Sequence, residues 1–291
     1  MTNVRNTISR RDLLKFTTAG AVVAGLPSVT AWATATNMAK PGIALQLYSI
    51  RDDCAKDFDR SLAEVAKMGF EAVEFAGYHS YADNPKGLRK RLDELGLKVA
   101  ATHIGTDKLV GDALPKTVEF HKIIGCKYLI VPGDQRFTDP EKSKELAEIF
   151  NQAAKNLKTD GMYTGYHNHT HEFQKDGDKT YWDLFAERTT ADVVLQQDVG
   201  WTTTAGADPV ALIRKYPGRH QIIHCKPAVV GDVGKAYIGQ DSVKWNDIFK
   251  ACVEVGGTLW YTIEQEVYPD GKSAMECTKI SLAGLMKILG R

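Results

Sequence analysis

The sequence has little of what would make a protein basic, disulfide-bonded or membrane-embedded. Its 37 Lys and Arg residues face 36 Asp and Glu, a formal charge of +1 over 291 residues. Without a surplus of cations on one face there is no footprint for a phosphate backbone, so nucleic acid is not an expected partner. Five cysteines are too few for a disulfide scaffold, and the odd number leaves at least one thiol free unless another chain pairs with it. No CxxC occurs, so a zinc knuckle or redox pair is not suggested. No GxGxxG or P-loop follows the first strand candidate, which weakens a doubly wound open sheet. What is present is ordinary for a globular chain: 43% hydrophobic and 25% charged residues, which argues against wholesale disorder and a polytopic membrane protein.

The first 33 residues differ from the rest. They carry Arg5, Arg10, Arg11 and Lys15 against one acid, Asp12, leaving 33 basic and 35 acidic residues in 34–291. Phe16–Leu26 is apolar or small and too short to span a bilayer comfortably. Ala31-Trp32-Ala33 gives a small-x-small cleavage pattern. A basic segment, a short apolar core and a processing site make a signal peptide, with an uncleaved amphipathic anchor as the alternative. Ser9-Arg10-Arg11-Asp12-Leu13-Leu14-Lys15 resembles the twin-arginine export signal. That signal implies export of an already folded chain to the periplasm, a mature protein of 34–291 and no stable membrane insertion after processing.

The remainder repeats one pattern. Strand candidates are Ile43–Tyr48, Ala72–Phe75, Lys98–His103, Tyr128–Val131, Met162–His167, Val193–Asp198, Gln221–Cys225 and Leu259–Glu264. Amphipathic segments lie between them, among them Asp57–Met68, Leu88–Leu95, Thr117–Ile124, Glu141–Leu157, Tyr181–Arg188, Pro209–Tyr216, Trp245–Val255 and Ser273–Leu289. Glycines at 69, 96, 125 and 161 stand where the preceding helix should stop. Strand–helix units of this number and size predict a single-domain (β/α)8 TIM barrel over 34–291.

In such barrels chemistry gathers at the C-terminal ends of the strands, and alternate strand residues face the lumen. Small residues two positions before Glu74, His103, His167 and Glu264 (Ala72, Ala101, Gly165 and Thr262) fit a crowded lumen below polar strand ends. Glu74, His103, His167, His169, Asp198, His224, Lys226, Glu264 and Glu266 are therefore expected at one mouth. His, Asp and Glu converging in one pocket form a divalent-metal site by ligand type, and the mixed set suits Mn, Co, Fe, Zn or Mg. Each residue also has a plainer reading. A lone strand-end His is more often a hydrogen-bonded packing residue, Asp198 can cap a helix, and Glu264 with Glu266 can be a solvated edge.

At these residues the chain resembles the sugar phosphate isomerase/epimerase family, the xylose-isomerase-like barrels. The marks are Leu45-Gln46-Leu47-Tyr48-Ser49-Ile50-Arg51-Asp52, Gly69-Phe70-Glu71-Ala72-Val73-Glu74, Tyr166-His167-Asn168-His169 with Glu172-Phe173, Gln197-Asp198-Val199-Gly200-Trp201, His224-Cys225-Lys226 and Ile263-Glu264-Gln265-Glu266. The resemblance implies a divalent metal held by four strand-end ligands, of which Asp198, His224 and Glu264 match three. The first ligand is usually Glu, and His167 stands in its register, so the fourth ligand is left among His167, His169 and Glu172. Trp201 stands where the endonuclease branch has His, which argues against that branch. Members are often dimers or tetramers, so a homo-oligomer is compatible with the resemblance.

The expected chemistry is that of a metal polarising a sugar carbonyl while a base removes the α proton, through an enediolate. Reprotonation gives isomerisation or epimerisation; loss of a β leaving group gives a lyase or dehydratase, as from a 3-keto-glycoside. The expected metal set is His167, Asp198, His224 and Glu264. His167 or Glu264 is the expected base, with His103 and Lys226 orienting or protonating oxygens, and Glu74, His169, Glu172 and Trp201 meeting substrate. Tyr48, Tyr78, Tyr166, Trp201 and Tyr237 are candidates to stack on a sugar face. Only Arg51 and Lys226 suggest themselves for a phosphate, and export argues against a phosphorylated intermediate, so an unphosphorylated sugar, keto-sugar or glycoside is expected. A catalytically dead sugar-binding barrel is the remaining alternative.

Overall fold

The computed structural model describes residues 40–229 and 236–291; the export segment expected at 1–33 lies outside them. Eight short runs rich in β-branched and aromatic residues become strands: β1 Gly42–Gln46, β2 Ala72–Phe75, β3 Lys98–His103, β4 Tyr128–Val131, β5 Tyr163–His167, β6 Val194–Asp198, β7 Ile222–Cys225 and β8 Trp260–Ile263. Each pairs in parallel with the next, and β8 closes on β1 through Gly42↔Trp260 to Leu45↔Ile263. The sheet is a closed barrel and not an open doubly wound sheet.

The helices between strands start and stop where their sequences say. Those used below are α1 Arg51–Lys56, α2 Phe58–Met68, α3 Pro85–Leu95, α4 Ala113–Ile124, α5 Lys142–Leu157, α6 Tyr181–Arg188, α7 Val199–Thr204, α8 Pro209–Lys215, α9 Trp245–Ala251 and α10 Ala274–Leu289. Asp57 caps α2 by accepting from Arg60 N at 3.0 Å, and Gly69 ends it at φ +98°, a conformation that penalises any Cβ. Ser273 and Glu276 form a reciprocal capping box on α10. The segment expected to be helical to Val255 leaves α9 at Ala251 and continues as a wider turn over Cys252–Gly256. The sequence reading missed α1, α7 and a small hairpin pairing Lys175–Asp176 with Lys179–Thr180. No helix among the described residues is long and apolar enough to cross a membrane.

Strand alternation separates two environments. Val73, Ile223 and Ile263 face outward into one helix-covered core, while Tyr166 and Leu195 face a second with Phe150, Trp182 and Phe185. Inward positions near the N-terminal end of the barrel are small or aliphatic: Ala44, Ala72, Ala100, Ala101, Val194 and Ile222, packed with Trp260. A bulge in β3 helps set this pattern. Val73 pairs with Val99 but Glu74 with Ala101, so Ala100 has no opposite number and His103 is carried to the lumen. Above this apolar plug the lumen turns polar.

Candidate active site

Four consecutive strands end in the expected donor types. His167 ends β5, Asp198 ends β6, His224 lies one residue before the end of β7, and Glu264 follows β8. One donor atom from each lies within 4.8 Å of the others, close to the spread of donors around one ion bound at about 2.0–2.2 Å. All four residues are buried. His169 and Glu172, the other candidates for the fourth position, are not in this group.

Local structure aims these side chains. Asn168 is fully buried, and its Oδ1 accepts from Asp198 N at 3.0 Å while Nδ2 donates to Thr202 Oγ1 at 3.3 Å, tying the ends of β5 and β6 together. Asp198 Oδ1 caps α7 by accepting from Trp201 N at 2.8 Å, which leaves Oδ2 buried without a hydrogen-bond partner. Below His167, Gly165 lets β6 approach: an added Cβ there would lie 2.2 Å from Val194 O. The rings of His103, His167 and His224 pack with centroids 4.5–5.4 Å apart.

A layer of acid and amide lies behind the histidines. Glu74 is fully buried on β2, with Oε1 at 2.9 Å from His103 Nε2, 3.1 Å from His224 Nε2 and 2.9 Å from Gln196 Nε2. Gln196 Oε1 lies 2.9 Å from His103 Nε2 and 3.1 Å from His167 Nδ1. Across the site, Lys226 Nζ pairs with Glu266, approaches Glu264 Oε2 at 3.7 Å, and sits 4.7 Å from the centroid of the Trp201 ring.

The donor set fits a divalent cation on three observations. Asp198 Oδ2 is an orphaned buried acceptor. Glu264 Oε2 and His224 Nδ1 are 3.1 Å apart, so either a proton or a metal ion must stand between two atoms that both carry lone pairs. Finally, with His224 neutral as a ligand, the buried carboxylates Glu74, Asp198 and Glu264 face one buried ammonium, Lys226, a balance of −2 that a divalent ion would cancel.

For the protein groups alone, proton affinities follow this crowding. Burial pushes the Asp198 carboxyl up to about 7; Lys226 opposes the rise and Glu264 adds to it. Burial would also raise Glu264, but Lys226 and His224 hold it well below the carboxylate range. Burial lowers His224, yet Glu74 and Glu264 bring it up to about 10. His167 is driven well below its ordinary value by burial, with His224 and His103 adding to the effect.

Above the cluster opens a cavity of about 490 Å³ lined by Tyr48, His103, His167, His169, Glu264 and Glu266 with small residues of the β2, β3 and β4 loops. Three expected substrate contacts lie outside the lining of this cavity. Glu74 and Glu172 are fully buried and do not line the cavity; Glu172 instead accepts from His169 N at 2.8 Å and lies beside His171 Nε2 at 3.0 Å. Trp201 is also absent from the lining, packing against His169 and covering Lys226. Of the aromatic candidates, Tyr48 faces the cavity. Tyr78 instead bonds Thr102 and His121, Tyr166 bonds Asp134 N, and Tyr237 packs on Pro269. The sequence reading missed Gln196 and Asn168 because neutral amides carry no ligand signal, although Gln196 stands two residues before Asp198 on the inward parity.

The family model of the xylose isomerase-like TIM barrels matches residues 62–281. The chain belongs to this family. An inosose dehydratase of Geobacillus kaustophilus is 28% identical to this family member, over 58% of this chain and 61% of the relative, so the match spans less than two thirds of that protein. An inosose dehydratase of Clostridium botulinum is 23% identical over 75% of this chain and 85% of its own length. Among solved structures, a sugar phosphate isomerase/epimerase from Parabacteroides distasonis is 30% identical with a TM-score of 0.71, covering 84% of this barrel and 97% of its own chain.

Proposed function

We propose that this barrel is a metal-dependent lyase acting on an unphosphorylated keto-sugar or oxidised glycoside by β-elimination. The observation that carries the reading is the donor cluster His167, Asp198, His224 and Glu264 at the floor of a cavity whose described lining contains carboxylates and imidazoles but no Lys or Arg. Such a lining offers a keto-sugar hydrogen bonds and offers a phosphate no cation. A bound divalent ion would supply Lewis-acid polarisation of the substrate carbonyl. Two imidazoles among four donors suit Zn, Co, Fe or Mn better than Mg, which prefers an all-oxygen shell.

The chain's own groups divide the work. Glu264 Oε2 is held by His224 and Lys226, leaving Oε1 to take the proton from the carbon α to the carbonyl. Lys226, kept cationic by Glu264, Asp198 and Glu266 despite its burial, stays outside the lining and holds Glu264 ionised, and the proton that Glu264 has taken leaves with the β oxygen as water or alcohol. The hydrogen and the leaving oxygen depart from adjacent carbons, and a carbon–carbon double bond conjugated to the carbonyl remains. Both curated relatives being dehydratases supports this outcome.

Isomerisation or epimerisation is the second reading, favoured by the 30% identity to a sugar phosphate isomerase/epimerase. Inversion needs acid and base on opposite faces of one carbon, and His167, standing where the family usually has its first Glu, has its Nδ1 committed to Gln196. Incubation with inosose and with 3-keto-glycosides in D2O separates the readings. Elimination predicts ultraviolet absorbance of a conjugated product or free aglycone; deuterated isomers without either would reject the lyase. A sugar-binding barrel without catalysis predicts neither, and no deuterium exchange.

We further propose that residues 1–33 direct export, placing the mature barrel in the periplasm. All five cysteines are buried as free thiols, so none is offered for pairing during export in the folded state.

A further inference from the structure

We propose that Glu74 and Gln196 are positioning residues that fix the tautomers of His103 and His167 and so turn a bare ring nitrogen of His167 toward the metal site. The inference rests on the metal-site reading above and gives Glu74 a role other than substrate contact.

The direction of every bond in this layer follows from one constraint. Glu74 as a carboxylate only accepts, so the Gln196 amide must point its NH2 at Glu74 Oε1, 2.9 Å away. Gln196 Oε1 is then turned toward the histidines and can only accept. His167 must therefore donate from Nδ1, at 3.1 Å, which leaves Nε2 without a proton. His103 must donate from Nε2 to Gln196 Oε1 at 2.9 Å, with Glu74 Oε1 lying 2.9 Å from the same nitrogen. His224 Nε2 lies 3.1 Å from the same Glu74 oxygen as an ion-pair contact without hydrogen-bond alignment, while its Nδ1 bonds Glu264 Oε2 at 3.1 Å.

One of the four donor residues, His167, is thus oriented from behind by an amide that Glu74 in turn holds. An acceptor behind a ligand imidazole fixes its tautomer and ring orientation. Glu74 and Gln196 are both fully buried, so water does not compete for these bonds. The arrangement spans the barrel: β2 supplies Glu74, β6 supplies Gln196, and β3, β5 and β7 supply the histidines. Gln196↔His167 is a cross-strand pair, so the amide and its imidazole are fixed by sheet register as well as by hydrogen bonding.

The test uses the whole chain and metal binding as its readout, so substrate identity does not enter. Zinc affinity is measured by chelator competition, the Co(II) form by its visible spectrum, and tautomers by 15N shifts of the histidines. Glu74→Gln, nearly isosteric, should weaken zinc about 10–100-fold and change the Co(II) spectrum. Gln196→Met should free His167 from the Nδ1–H form in the 15N spectrum and weaken zinc similarly, while Gln196→Glu should not restore affinity because it sets a carboxylate against Glu74. Wild-type zinc affinity, cobalt spectrum and tautomers in a folded Glu74→Gln or Gln196→Met variant would overturn the proposal while leaving the metal site standing. A wild-type protein that binds no metal would overturn both.

Discussion

Replacing Asp198 with Asn should change stability in opposite directions with and without metal. The carboxyl is fully buried; one oxygen caps α7 and the other has no donor. Burial pushes its pKa from 3.8 up to about 7, with Lys226 opposing and Glu264 reinforcing. An acid whose folded pKa lies above its unfolded value takes up a proton on folding. The metal-free barrel therefore loses stability as pH rises from about 4 to about 7, and carries the whole penalty above that window. About three units at roughly 1.4 kcal/mol each make this penalty about 4 kcal/mol at pH 8. Asn keeps the capping oxygen and removes the charge. In EDTA at pH 8, Asp198→Asn should thus melt higher than wild type, by roughly 10 °C at about 2–4 °C per kcal/mol for a domain of this size. At pH 4 the two should nearly coincide. Zinc or manganese at a hundredfold excess over Kd should add about 2.7 kcal/mol to wild type and nothing to the variant. Scanning calorimetry over this pH range reads all three effects. A variant that melts lower than wild type in EDTA at pH 8, or that still gains from metal, would refute the reasoning.

Three other perturbations test separate parts of the account. Gly200→Ala sets a Cβ 2.6 Å from Lys226 O and 2.8 Å from its Cβ, so α7 must move off β7; about 1–3 kcal/mol of stability and most activity should be lost, whereas wild-type melting and turnover would show Lys226 free to move. His121 and His220 are buried and lowered to about 4, so stability present above pH 6.5 is lost as pH falls toward 4. Urea midpoints in the Asp198→Asn background should fall over that window, and His121→Asn should flatten the fall; an unchanged slope would exclude His121 as a contributor. Changing Arg10 and Arg11 to Lys should hold the protein in the cytoplasm at full length, while wild type should fractionate with the periplasm and begin near residue 34 by mass spectrometry; unprocessed cytoplasmic wild type would contradict export.

The barrel was legible because its local signals agree. Strand runs, the Asp57 and Ser273 caps and the glycine stops all report one alternation, so the strand boundaries moved by a residue or two at most. The convergence of His167, Asp198, His224 and Glu264 was legible as a register of strand ends, with small Gly165 and Thr262 beneath the first and last. The roles of Glu74, Glu172 and Trp201 were not legible. Sequence places a polar residue at a strand end but does not say how far the lumen closes over it. Glu74 lies under the imidazoles of His103 and His224, Glu172 folds back on its own loop, and Trp201 is turned onto Lys226 by the capped start of α7. Gln196 was missed for the opposite reason: its parity was readable, but an amide becomes informative only when the two histidines and the carboxylate around it are known.

The central claim, a single catalytic divalent ion held by His167, Asp198, His224 and Glu264, is tested most directly by elemental analysis of the folded protein after exposure to transition metals and removal of excess. Wild type should hold one ion per chain and a folded His224→Ala variant none. A metal-free wild type, or a His224→Ala variant that retains the full ion, would contradict it.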